Sequence, residues 1–411
     1  MIVAHPRVEE YTAGHIGRLR ILNGAASSVE LIRNLDRRYA TERKKWHPTP
    51  VHRLIANLLQ EDPEEYVKRH SLLPFDRLAY FDRDTVEDFN VAASARPRTT
   101  LWPLRKYAHF CPLCIEQDHA VLGFSYWRRI HQIPGIDRCD QHHIPLSFVT
   151  RNTAFDLPPD AWRAQAHVIN DDRANLVNEN PMVNGYSEIV RRLLADPRRV
   201  SRFSASVVVR ELAVDHGLRV GTLGVHPTLS DFMKAHLPAS WVYELYPAML
   251  EREEGKYFWP IDGACLSQPV SGQTYAVALA LLAKNPEEAL KRLFAHPDEM
   301  PTVEEKRVAQ NTSRRRVYLR AYIEHQGNHA AMARALQIDV AGLNVRLRKL
   351  GLPSLHFLDG QSRSCVLNFF RSASVESVQA WAEKMRQLLQ RQPDAKSSIS
   401  SWREAGLLSF A

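Results

Sequence analysis

The stretch HFCPLCIEQDHAVLGFSYWRRIHQIPGIDRCDQHHIPL, from His109 to Leu146, decides the reading of this chain. Cys111 and Cys114 form a CxxC pair, and after twenty-four intervening residues Cys139 and His142 form a CxxH pair. Structural zinc sites take four tetrahedral nitrogen and sulfur ligands, and a two-residue spacing lets one tight turn aim two of them at the same ion. Pro112 restricts the first turn. Four such ligands fill the coordination shell and leave no position for water, so the pattern implies a structural zinc, not a hydrolytic one. His143 is the adjacent alternative for the fourth ligand, and the CxxH spacing, which mirrors CxxC, favours His142. His109, His119 and His131 read as packing or surface residues.

The other two cysteines, Cys265 and Cys365, lie far from this cluster and read as buried apolar thiols. An odd count of five in a chain of 411 residues argues against a disulfide framework. No run approaches the roughly 20 apolar residues that cross a bilayer. MIVAHPRVEE at the start has no charged segment followed by an apolar one, so the reading is a cytoplasmic protein with no membrane partner. The formal charge of +8 suits a polyanionic partner.

Working outward, apolar residues recur at helical spacing almost everywhere. Ile16, Leu19, Ile21 and Leu22 precede a break at Asn23-Gly24, and Val29, Leu31, Ile32 and Leu35 follow it. Val51, Leu54, Ile55, Leu58 and Leu59 share a face. Asp62 and Pro63 make an N-cap and first helical residue for a helix to about His70, followed by a loop at Pro74. Residues 152–182, rich in Pro, Asp and Asn, read as a connection. Helices then fit Tyr186–Ala195, Ser204–His216, Ser230–His236, Trp241–Tyr246, Thr274–Leu282 and the stretch opened by Asn285-Pro286. Pro301–Ser313 reads as a linker, and Ser374 caps a last amphipathic helix from Val375 to Leu389. The fold class is mostly α with little sheet, in several domains: residues 1–150 with the zinc knuckle, a helical middle domain over 151–300, and a helix-turn-helix domain over 301–411.

GNHAAMARALQIDVAGLNVRLRKLGLP, from Gly327 to Pro353, resembles a Fis-type helix-turn-helix. Asn328 caps the first helix, and Ala331, Met332, Ala335 and Leu336 face inward. Gln337-Ile338-Asp339 turns the chain, and the second helix begins near Val340. That helix buries Leu343, Leu347 and Leu350 and stops at Gly351. Asn344, Arg346, Arg348 and Lys349 are left outward, where the second helix of such a motif meets the major groove of double-stranded DNA. Arg314, Arg315, Arg316 and Arg320 upstream are candidates for phosphate contacts. Gly342 costs such a helix about 1 kcal/mol. Ser204–His216 and Leu229–Leu237, with Arg202, Arg210 and Arg219, admit a second DNA-binding unit or a plain structural bundle.

CPLC, then YWRRIHQIPGIDRC, then CDQHHIPL resembles the signature of the TniQ/TnsD family, with Trp127, Arg128, His131, Gln132 and Gly135 at signature positions. EEYVKRHSLLPF (Glu64–Phe75) is similar to the segment that precedes the signature there. The resemblance covers about residues 8–150 well and the rest loosely. It implies a protein that chooses where a transposon inserts: it contacts DNA or a DNA-bound complex and recruits a TnsC-like AAA+ ATPase, which admits the transposase. Some members read a fixed attachment site; others are adaptors on an RNA-guided CRISPR effector complex. Certain RNA-guided members carry a second cysteine cluster soon after the first, whereas here no cysteine follows until Cys265. The oligomeric state, homodimer included, stays open.

Neither a phosphate-cradling GxxxxGK[ST] loop nor HExxH nor GxSxG occurs, so the chain reads as a non-enzyme. Asp82, Asp84, Glu87 and Asp88 read as a solvated acidic face.

Overall fold

The structure, a computed structural model, describes residues 1–39, 50–80, 104–220, 227–295, 315–336, 338–355, 358–372, 375–391 and 399–407. The expected acidic face (Asp82, Asp84, Glu87, Asp88), Arg314, Gln337, the linker over Pro301–Ser313 and the cap at Ser374 lie outside the described residues. Helices dominate, and the sheet content among the described residues is one three-stranded antiparallel and one two-stranded parallel sheet. The mostly α expectation holds. No helix among the described residues is long and apolar enough to cross a membrane.

The chain forms two compact units. The first comprises Met1–Ala205, Met233–Arg252 and Pro269–Met300; the second comprises Ser206–Phe232, Glu253–Gln268 and Pro301–Ala411.

In the first unit, local signals set the helix ends. The Asp62 carboxylate accepts from the Glu64 and Glu65 amides, Pro63 occupies the first turn, and the helix Pro63–His70 closes on Lys68, Arg69 and His70. Acidic residues at its start and basic ones at its end both favour the helix dipole. The chain then makes a helical turn, Leu73–Asp76, where a loop was expected. Pro74 is tolerated because it sits in the first turn, where its missing N–H has no helical partner. Ile16, Leu19, Leu31, Leu35, Leu54, Ile55 and Tyr66 from the helices Thr12–Leu22, Ser28–Tyr39, Val51–Leu59 and Pro63–His70 make one apolar cluster. The helix Gly272–Leu282 is apolar nearly all round and correspondingly buried. It packs against Pro181–Ala195, with Gly185 facing Ala280. Gly272 allows this burial: a side chain there would begin 1.7 Å from the Phe75 carbonyl oxygen.

Residues 152–182 are not a bare connection. They form two short 3-10 segments, a strand His167–Val168 and a helix Asp171–Glu179. The strand completes the three-stranded sheet, in which His109 pairs Phe148 and Phe148 pairs His167. Long-range pairing of this kind leaves no periodicity in a two- or three-residue strand.

The second unit has its own core: Leu319, Tyr322, Met332, Leu336, Leu343, Leu347, Val366, Phe370, Trp381 and Trp402 among others.

Candidate metal centre and nucleic-acid interface

The strand Ala108–Phe110 delivers Cys111, and the strand Ser147–Val149, its antiparallel partner, carries the chain away after Leu146. Both ends of the 109–146 segment are therefore held together by one ladder. Cys111 is the N-cap of the helix Pro112–Leu122 and Cys114 lies in its first turn. Partial positive charge at a helix N-terminus favours thiolates there. On the other side, Cys139 and Ile144 are joined by an amide-to-carbonyl hydrogen bond of 2.9 Å, and the His143 amide donates to the Cys139 carbonyl at 2.9 Å. His143 takes a left-handed φ of 53°, which closes this knuckle.

The two turns bring Cys111, Cys114, Cys139 and His142 together, with one ligand atom of each within 4.8 Å of the others. His142 Nδ1 lies 3.6 Å from Cys111 Sγ, 3.3 Å from Cys114 Sγ and 3.6 Å from Cys139 Sγ. Cys114 Sγ and Cys139 Sγ are 3.6 Å apart. A tetrahedron with metal–sulfur bonds near 2.3 Å and a metal–nitrogen bond near 2.0 Å has edges of about 3.5–3.8 Å. The cluster can therefore hold a metal ion, and it has the donor set and size that a structural zinc needs. His143 is exposed and outside the cluster, so His142 is the fourth member. Hydrogen bonds from Cys114 and Cys139 hold the Cys111 thiol well below its ordinary range.

Several buried side chains surround the cluster. Arg128 forms a two-pronged pair with Asp118 at 2.9 and 2.8 Å and stacks over Tyr126. Gln132 accepts from the His109 amide at 3.0 Å and donates to the His109 and Arg128 carbonyls at 2.7 and 3.1 Å. Trp127 is buried against Gly14, where a side chain would begin 2.7 Å from its ring. His131 is fully buried and groups with Cys139 and Asp140, a proximity to the knuckle that its position in sequence did not reveal. Its burial depresses its pKa and favours the neutral ring. Also unforeseen is a charge-balanced quartet in which Arg105 and Asp137 are buried and Arg173 and Glu244 half-buried. Arg105 reaches Asp137 at 2.6 Å and Glu244 at 2.7 Å, and Arg173 reaches both carboxylates as well. Burial works against the ionised Glu244, and Arg105 with Arg173 outweighs it, leaving its pKa below the ordinary value. These partners come from distant parts of the chain, so no local spacing signals them.

His109 is buried with Nδ1 on the Tyr107 carbonyl, and His119 is exposed beside Asp160. Cys265 is buried, and burial pushes its thiol up to about 12. Cys365 is exposed on the helix Gly360–Ser372, against the expectation of a buried thiol; Val366 beside it takes the inward position.

In the second unit the two helices expected on either side of the turn are present. Asn328 Oδ1 accepts from Ala330 and Ala331 at the head of His329–Ala335, and Val340–Leu350 ends on Gly351 with a left-handed φ of 75°. Met332, Ala333 and Leu336 are the inward residues; Ala331 and Ala335 are only half-buried. Asp339 caps the second helix by accepting from the Gly342 amide at 2.6 Å. A side chain on Gly342 would begin 2.6 Å from that carboxylate, so the Asp339 cap would have to shift to admit one.

Arg346, Arg348 and Lys349 are exposed, and Arg346 is steadied by the Tyr318 hydroxyl at 2.6 Å. Asn344 is half-buried, its side chain facing His329 Nδ1 at 2.6 Å. Upstream cations already have internal partners. Arg315 faces Glu383 at 3.6 Å and Arg316 faces Glu211 and Asp215 at 3.8 Å. Arg320 donates to the Val214 and Asp215 carbonyls at the end of the helix Arg202–Asp215. In the middle segment Arg210 donates to the Cys265 carbonyl and Arg219 to that of Gly255.

Together these features define a helical protein with a three-cysteine, one-histidine cluster able to hold a metal in one unit and a pair of short capped helices in the other. Residues 1–146 match the family model TniQ. No match was found among curated proteins.

Proposed function

We propose that this chain is a DNA-binding target-site selector for a Tn-type transposon. It acts without chemistry of its own: it recognises duplex DNA and recruits a TnsC-like AAA+ ATPase, and through it the transposase. A structural zinc held by Cys111, Cys114, Cys139 and His142 fixes the knuckle of its TniQ region. The observation that carries the DNA reading is the helix Val340–Leu350, capped at both ends and presenting Arg346, Arg348 and Lys349 to solvent. A second helix of this kind enters the major groove, and its cations supply base and phosphate contacts. Asn344, on the flank, stands within reach of the same face. Arg315 and Arg316 have carboxylate partners, so the proposal rests on the second helix and not on them.

The test is selection of duplexes from a random library by the full chain at fixed, moderate salt, since phosphate binding alone is strongly salt-dependent. Enrichment of one extended motif supports the selector. Salt-sensitive binding with no motif overturns it and points to an adaptor that takes its address from an RNA-guided effector complex.

A further inference from the structure

The outward face of the second helix is not led by its charges. At 100° per residue, the direction opposite buried Leu343 and Leu347 falls on Ala341 and Val345. Both are exposed, Val345 to 53%. Arg348 and Lys349 flank this strip, and both are exposed. Asn344 and Arg346 stand further round and are engaged by His329 and Tyr318. The acidic residue at the head of the helix, Asp339, is turned onto the Gly342 amide as its cap. Valine is a weaker helix former than alanine, leucine or lysine, so helix propensity does not account for it at an outward position. Scattered exposed aliphatics are ordinary on protein surfaces. Here Ala341 and Val345 are aligned one turn apart on one helix, flanked by cations.

We infer that Ala341 and Val345 form an apolar reading strip for the 5-methyl group of thymine, held in the major groove by Arg348 and Lys349. The inference rests on the reading of this helix as the DNA-contacting one. Thymine is the base that shows a methyl group in that groove, and small apolar side chains are what contacts it. The N-terminal residues of a recognition helix are those that reach base edges; Ala341 lies in its first turn and Val345, one turn on, at its middle. Flanking cations exclude an apolar partner helix as the better fit and favour a polyanion carrying isolated methyl groups.

The experiment takes the most enriched duplex from the random library and replaces each thymine in turn by deoxyuridine, which removes only the methyl group. Binding by the full chain is compared with that of Val345→Ser and of the near-isosteric Val345→Thr. At one or more positions the replacement should weaken the unaltered chain about fourfold, the effect of one methyl-sized group removed from a buried contact. Val345→Ser should bind the thymine duplex about as weakly and be indifferent to the replacement. Val345→Thr, which keeps one methyl, should fall between. Thermal melts of both variants should match the parent, since the position is exposed. Equal binding of every deoxyuridine duplex, with the motif still enriched, overturns the methyl reading and leaves DNA recognition intact. Absence of any enriched motif overturns both. A change in molecular mass on Val345→Ser with unchanged DNA binding assigns the strip to a second copy of the chain, and overturns it too.

Discussion

The indole of Trp241 donates its N–H to the Gly135 carbonyl at 3.0 Å, and the same ring occupies the place where a side chain on residue 135 would begin, 2.9 Å away. Gly135 also has a φ of 82°. Two requirements, a left-handed backbone and a ring lying flush on it, meet at one residue between His131 and Cys139. Gly135→Ala should therefore lower stability by about 2–4 kcal/mol, from the strained conformation and the overpacking together. A drop in the midpoint of urea unfolding, with zinc content preserved in the folded fraction, is the expected result; an unchanged midpoint would refute it.

Removing knuckle ligands should separate the two adjacent histidines. Metal analysis of purified chain should find about one zinc per chain. Cys111→Ser, Cys139→Ser and His142→Ala should lose metal and give insoluble or partly unfolded protein, because a structural zinc contributes folding free energy. His143→Ala should keep the metal, since His143 stands outside the cluster. Retention of zinc by His142→Ala with loss in His143→Ala would reverse the assignment.

Acid should destabilise the fold through buried histidines. Burial lowers His15 and His70 to about 3, although both accept or donate hydrogen bonds inside: His15 between Tyr66 and the Ala4 carbonyl, His70 with the Glu10 carbonyl. An unfolded histidine titrates near 6.5. Between these values the unfolded chain binds more protons, so this contribution is complete above about pH 6.5 and is lost as pH falls toward 3. Urea midpoints measured from pH 7 down to pH 4 should fall steadily, and His15→Gln should flatten the decline. A midpoint that rises on acidification would contradict this.

Charge removal on the second helix should read out as salt dependence. Arg348→Ala and Lys349→Ala should each weaken binding and, where the lost contact is to a phosphate, reduce the slope of log affinity against log salt by about 0.9. Arg315→Ala and Arg316→Ala break internal ion pairs and should leave that slope as it is. An undiminished slope in the first pair, or a reduced one in the second, would transfer the contact to the upstream helix over residues 315–324.

What could be read in advance was local. Caps at Asp62, Asn285 and Asn328 are single-residue chemistry acting on amides two or three positions away, and each is found where expected. The four knuckle residues carry their own geometry in two short spacings. His131 beside Cys139, the Arg105–Glu244 pair, and the parallel pairing of Ala79–Tyr80 with Val200–Ser201 have no such signature, because their partners meet only when the whole unit closes. Cys365 was misjudged for a related reason: residue type alone does not say which side of a helix faces in.

The division of the chain bears on how it is made. Residues up to Ala205 cannot complete their unit until Met233–Arg252 and Pro269–Met300 have also been synthesised, while Ser206–Phe232 and Glu253–Gln268 belong to the unit finished by Pro301–Ala411. At roughly 5–20 residues per second, about 300 residues take on the order of 15–60 s to emerge. The knuckle segment can find its metal early in that interval, but the Trp241 ring that seals Gly135 arrives about a hundred residues later. A metal taken up by the four knuckle residues at that stage would therefore be held before the floor beneath Gly135 is complete.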